Sequence, residues 1–186
     1  FEKCPLQYAY RYVEKIDPPA APSLHLILGT SVHYALEILY KKVWSLQKPT
    51  LEDCLQRYQE KREEEKSEAE KKVQNSFAVE DVTVFYDRGV HYIERYYQEY
   101  HPFNQAIPIE VEKNISFSMS DTDNMRWVVD RIDKKENDLI IVDYKTNRHL
   151  PTDGKDTPKE QLTLYGLAIK NDWWSKYDRL FAKLVY

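Results

Sequence analysis

The residues most able to do chemistry together lie between positions 128 and 147, in the segment VVDRIDKKENDLIIVDYKTN. Asp143 and Lys145 are two apart in an apolar run that reads as a strand, so an acid and a base leave the same face, about 7 Å apart at the backbone. Asp130 precedes Asp143 by thirteen residues, and a turn near positions 135 to 137 would fold the two carboxylates onto adjacent strands. Paired carboxylates are hard oxygen ligands suited to Mg²⁺ or Mn²⁺, which relieve their mutual repulsion. A lysine beside them can orient or help deprotonate a water. That is a toolkit for phosphodiester hydrolysis. Taken alone, the Asp-x-Lys pair is better read as an ordinary ion pair at a strand end, since such pairs are common; the second acid and the order of elements reverse this in favour of a site. Asp133 is an odd number of positions from Asp130, points away on a regular strand, and is expected to be structural. Glu110, on the preceding strand, could add a further carboxylate.

The surrounding elements follow from hydrophobic period. Leu6, Tyr10 and Val13 suggest a short first helix, and Ile16 to Leu28, with Pro18, Pro19 and Pro22, an extended connector. Gly29-Thr30-Ser31 offers a helix start, and Val32, Ala35, Leu36, Leu39, Tyr40 and Val43 form an apolar stripe running to about Trp44. Positions 51 to 74 are strong helix formers whose second half is charged, and is expected to be a solvated surface or to fray. Positions 79 to 100 form a third helix with an aromatic face, better explained by core packing than by base stacking. The period then changes. Ile107 to Met119, Met125 to Ile132 and Asp138 to Tyr144 read as three strands of a meander, Pro158 to Ile169 as a helix, and Arg179 to Tyr186 as a last strand. This order gives an α/β class with a mixed sheet.

Composition removes several alternatives. The 186 residues fit one domain, 1 to 186, with a helical insertion at about 46 to 100. Four glycines, none at phosphate-loop spacing, exclude dinucleotide-binding and P-loop motifs. The net charge of -4 gives no global nucleic-acid footprint. It is uneven, however, because positions 134 to 186 hold 10 basic and 8 acidic side chains against 17 and 23 before them. A polyanion is therefore expected in this last third, near Asp143, Lys145, Arg148, Lys159 and Gln161. No membrane span is expected, since prolines and histidines break the longest uncharged run. Only Cys4 and Cys54 occur, which fits a reducing, cytoplasmic setting. An opening on Phe1 rather than Met suggests a piece of a longer polypeptide.

Segments 128 to 147 and 161 to 166 resemble the RecB-type branch of the PD-(D/E)XK nuclease superfamily, whose restriction-endonuclease-like core runs helix, three strands, helix, strand. Val128 to Asp133 resembles its "xxDRID" strand, Val142 to Thr146 its "(V/I)DYKT" strand, and Gln161 with Tyr165 its Q-x-x-x-Y helix. His33 in GTSVHYALE is similar to its upstream metal-binding histidine, and residues 1 to 13 to its "CP-x-x-(Y/F)" opening. The resemblance implies a Mg²⁺- or Mn²⁺-dependent deoxyribonuclease, most like an exonuclease of DNA repair or recombination. Asp130, Asp143, His33 and the Tyr144 carbonyl would hold the ion, Lys145 would position water, and Gln161 and Tyr165 would touch DNA or support the lysine. A helicase subunit or domain is the implied partner. Some relatives bind an iron-sulfur cluster through a cysteine at the place of Cys4 and three others; with two cysteines in this chain, absence of the cluster is expected. Two rivals remain: a catalytically silent copy of the fold that binds DNA or protein in a helicase-nuclease complex, and a helical interaction module around positions 50 to 100. The intact Asp130, Asp143 and Lys145 set counts against both.

Overall fold

A computed structural model describes residues 5–16, 23–73, 79–118, 124–146, 159–173 and 176–185. Helix α1 (Pro5–Tyr8) passes into a π-helical turn (Ala9–Val13). The next helix, α2 (Leu24–Trp44), starts five residues ahead of the glycine expected to open it. Its cap is Ser23, in extended backbone, whose hydroxyl accepts from the Leu26 N–H at 3.3 Å. Gly29 therefore lies inside the helix. A Cβ there would come within 3.2 Å of Thr146 Oγ1, so the missing side chain lets α2 approach the end of the third strand. The connector prolines fall outside the described residues.

Helix α3 (Leu51–Val73) opens on a reciprocal cap, with Thr50 N–H donating to Asp53 Oδ2 (3.0 Å) and Asp53 N–H to Thr50 Oγ1 (3.1 Å). Its charged second half does not fray: Ala69 is fully buried, and charges such as Lys61, Glu64 and Glu65 pair along the helix. Helix α4 (Val79–Tyr100) turns Ile93 and Tyr96 into the core, with Phe85, Tyr86, Tyr92 and Tyr97 packed beside them. The aromatic face is thus spent on packing.

Strands β1 (Ile107–Ser118), β2 (Asn124–Lys135) and β3 (Asp138–Tyr144) form an antiparallel meander, and β4 (Arg179–Val185) pairs in parallel with β3 after helix α5 (Lys159–Trp173). The sheet order is β1-β2-β3-β4, a mixed open sheet. Helices α2, α3 and α4 share one apolar cluster with the sheet, containing Leu28, Leu36, Tyr40, Tyr96, Val142 and Tyr144. A second cluster lies under α5, with Val129, Ile132, Leu139, Ile141, Tyr165 and Ile169. The fold is α/β, with a restriction-endonuclease-like order of helix, meander, helix and strand. Alternate residues of β3 feed the two clusters, which is why DLIIVDY reads as almost continuously apolar.

Candidate metal centre

The hairpin joining β2 to β3 needs only Glu136 and Asn137, with Glu136 at φ 55°. Its register pairs Arg131 with Val142, which sets Asp130 beside Asp143 one step further on. Val129 and Ile132, three apart, both belong to the cluster under α5, so the regular alternation of β2 breaks at Asp130 and Arg131. Asp130 Oδ2 accepts the Tyr144 backbone N–H at 2.6 Å. Its Oδ1 lies 3.3 Å from His33 Nδ1, on the exposed flank of the α2 stripe.

The third member comes from β1. Val111 pairs with Arg131 and Lys113 with Val129, placing Glu112 opposite Asp130, at φ 50°. One ligand atom each from His33, Glu112 and Asp130 lies within 4.8 Å of the others. The crowding shows in the acidities of Glu112 and His33. Burial, together with the charges of Asp130 and Glu37, pushes the Glu112 carboxyl up to about 7. Burial opposes protonation of His33, but the Asp130 hydrogen bond and the charges of Asp130, Glu112 and Asp143 outweigh it, raising its pKa.

Asp143, 3% exposed, faces Lys145 instead, with Lys145 Nζ 2.5 Å from its Oδ2. That contact is an ion pair without the alignment of a hydrogen bond, and burial raises the Asp143 pKa despite it. Lys145 Nζ also donates to Gln161 Oε1 (3.2 Å), Gln161 Nε2 to Tyr165 Oη (2.5 Å), and Tyr165 Oη to the Val128 carbonyl (3.2 Å). Gln161 and Tyr165, one turn apart on α5, thus form a relay that fixes the lysine. Burial pushes the Tyr165 phenol up to about 12.

Behind the site, the Arg131 guanidinium lies 3.6 Å from the Tyr40 ring centroid and donates to Tyr96 Oη (2.9 Å) and Tyr144 Oη (2.6 Å). Asp133 pairs with it, 2.8 Å from Nε, a structural role; because the alternation breaks between them, its odd spacing from Asp130 does not turn it to the opposite face as expected. Glu110 pairs with Lys113 at 2.8 Å, and it is Glu112 that joins the cluster. Both alternate with Ile109 and Val111, so the strand pattern does not separate them. What separates them is the pairing register, which sets Glu110 opposite Ile132 and Glu112 opposite Asp130 and which no spacing in the sequence announces. Arg148 and Cys4 lie outside the described residues. Cys54 is buried in the helical cluster, where burial pushes its thiol up to about 11.

An imidazole and two carboxylates converging beside an acid-lysine pair fit a divalent cation: the donors are hard, and their mutual repulsion is what a cation removes. A mixed sheet of this order, with such a set gathered from α2, β1 and β2 beside the acid-lysine pair of β3, defines the class of metal-dependent nucleases with a restriction-endonuclease-like core. The family model of the PD-(D/E)XK nuclease superfamily matches residues 1–186, and the chain belongs to that superfamily. Its members are in general nucleases that hydrolyse phosphodiester bonds with divalent metals. No curated protein and no solved structure gives a significant match. Among the described residues no helix is long and apolar enough to cross a membrane.

Proposed function

We propose that the chain is a Mg²⁺- or Mn²⁺-dependent deoxyribonuclease of the RecB-like branch, acting as an exonuclease in DNA repair or recombination. The observation that carries this reading is the adjacency of two arrays: His33, Glu112 and Asp130 from α2, β1 and β2, and Asp143, Lys145, Gln161 and Tyr165 from the end of β3 and α5. His33, Glu112, Asp130 and Asp143 would hold the cation, with the Tyr144 carbonyl added by the family resemblance. When bound, the cation supplies Lewis-acid polarisation of the phosphodiester and offsets its charge. The Tyr144 N–H holds Asp130 in place. Lys145 hydrogen-bonds the water that attacks phosphorus, and Gln161 keeps the ammonium aimed. One P–O ester bond breaks as the water oxygen bonds to phosphorus, giving a phosphomonoester and a hydroxyl. A helicase partner and a cytoplasmic setting belong to the same reading; they rest on the branch resemblance and on the sparse cysteines.

The test uses purified protein with linear and closed circular DNA, with Mg²⁺, Mn²⁺ or EDTA, beside Asp143→Ala. Metal-dependent loss of linear DNA alone, abolished in the variant, is expected. Cleavage of the circle makes the protein an endonuclease, and binding without cleavage in either metal overturns the enzymatic reading in favour of a silent DNA-binding module.

A further inference from the structure

An open cleft of about 670 Å³ runs along α2 and is continuous with the candidate metal centre, because His33 and Glu112 line it. Thr30 and Tyr34 line it from α2, Lys61 from α3, and Thr146 from the end of β3. The size is that of a small-molecule pocket, typically about 300–1,000 Å³. Its chemistry is mixed. Glu37 and Lys61 offset one another, and His33 and Glu112 belong to the cation-binding set, so the cleft offers a phosphate backbone no row of cations to lie on. A nucleobase would meet an aromatic ring, two threonine hydroxyls, and carboxylates able to accept from exocyclic amino groups. The Lys61 ammonium lies 5.8 Å from the Tyr34 ring centroid and is held by Glu64 and Glu65 of its own helix, both at 2.9 Å. These surface partners are exchangeable for a phosphate at the cleft mouth. In a duplex the bases are stacked and paired, so a base enters such a cleft only from an unpaired strand or by flipping.

We infer that the cleft between α2 and α3 is a subsite for an unpaired nucleobase next to the phosphate being cut, with Tyr34 stacking on the base and Lys61 taking the flanking phosphate. The inference rests on the nuclease reading, and it gives the helical insertion a part in substrate choice. The two can be tested apart. Binding of a fluorescent single-stranded oligonucleotide and of its duplex is measured by anisotropy, with Ca²⁺ replacing Mg²⁺ to suppress hydrolysis. Tyr34→Ala is expected to weaken single-strand binding about tenfold, Tyr34→Phe to keep it, and neither to change duplex binding. Lys61→Gln is expected to lower the salt dependence of single-strand binding by about 0.7 in log K against log salt, one phosphate contact. Wild-type affinity in Tyr34→Ala, or an equal loss on duplex, overturns the subsite. Hydrolysis of bis(p-nitrophenyl) phosphate by the wild-type protein, a substrate with no base, is read separately: its absence counts against the nuclease reading while anisotropy still decides the cleft.

Discussion

Glu112 and Asp130 are two acids held together in a half-buried place, and the cost falls on Glu112. With its carboxyl raised from 4.5 to about 7, the folded chain keeps a proton that the unfolded chain has released between those values. Proton binding therefore supports the metal-free fold below pH 4.5, and that support is lost as pH rises through 7. Glu112→Gln in EDTA should accordingly melt above the wild type at pH 8, with the gap closing toward pH 5; a constant gap in thermal melts would contradict this. His33 and Glu112 must both shed protons to bind a cation, so metal affinity should rise across the same range. For Lys145, removal at Lys145→Ala should lower the cleavage rate by about 10²-fold or more, the usual share of a positioned proton-transfer group, while far-UV circular dichroism stays native. At this scale the sequence was informative where side chains sit on one strand or one helix turn: Asp143 with Lys145, and Gln161 with Tyr165, meet as their spacing implies. Glu112 was not legible, because its place depends on the pairing register of β1 with β2, which leaves no local trace.

Among the elements, α3 and α4 meet at Gly89, where a Cβ would come within 2.1 Å of Tyr58 Oη and 2.3 Å of its ring carbon Cζ. Tyr58 is buried and stacked on Tyr86, so it has little room to yield. Gly89→Ala gains roughly 1 kcal/mol of helix propensity, but overpacking costs of order 1–3 kcal/mol. A net loss in urea unfolding is expected, with the propensity gain emerging when Tyr58 is shortened to Leu. The boundaries of α4, β3 and β4 follow closely from period and turn residues. The start of α2 does not, because an uncharged run behind prolines looks extended until Ser23 is seen to cap it and Gly29 to serve as a contact point rather than a start.

For the whole molecule, the candidate centre ties α2, β1 and β2 together through one residue each, His33, Glu112 and Asp130. A cation bound there stabilises every element at once. At 100 times its dissociation constant the gain is about 2.7 kcal/mol, which for a chain of this size raises Tm by roughly 5–10 °C. Asp130→Asn should abolish the metal-dependent part of that rise, and a variant that still gains it would place the cation elsewhere.

One backbone contact gives the architecture an order in time. The Lys145 N–H donates to the Val185 carbonyl at 2.7 Å, so the station of the lysine is completed by a strand forty residues downstream. A chain emerging from the ribosome presents its acids and its histidine first, and it cannot seat the lysine until β4 has followed. Of the strands that build the lysine's station β4 is made after β3, so that station is incomplete while only β3 has emerged.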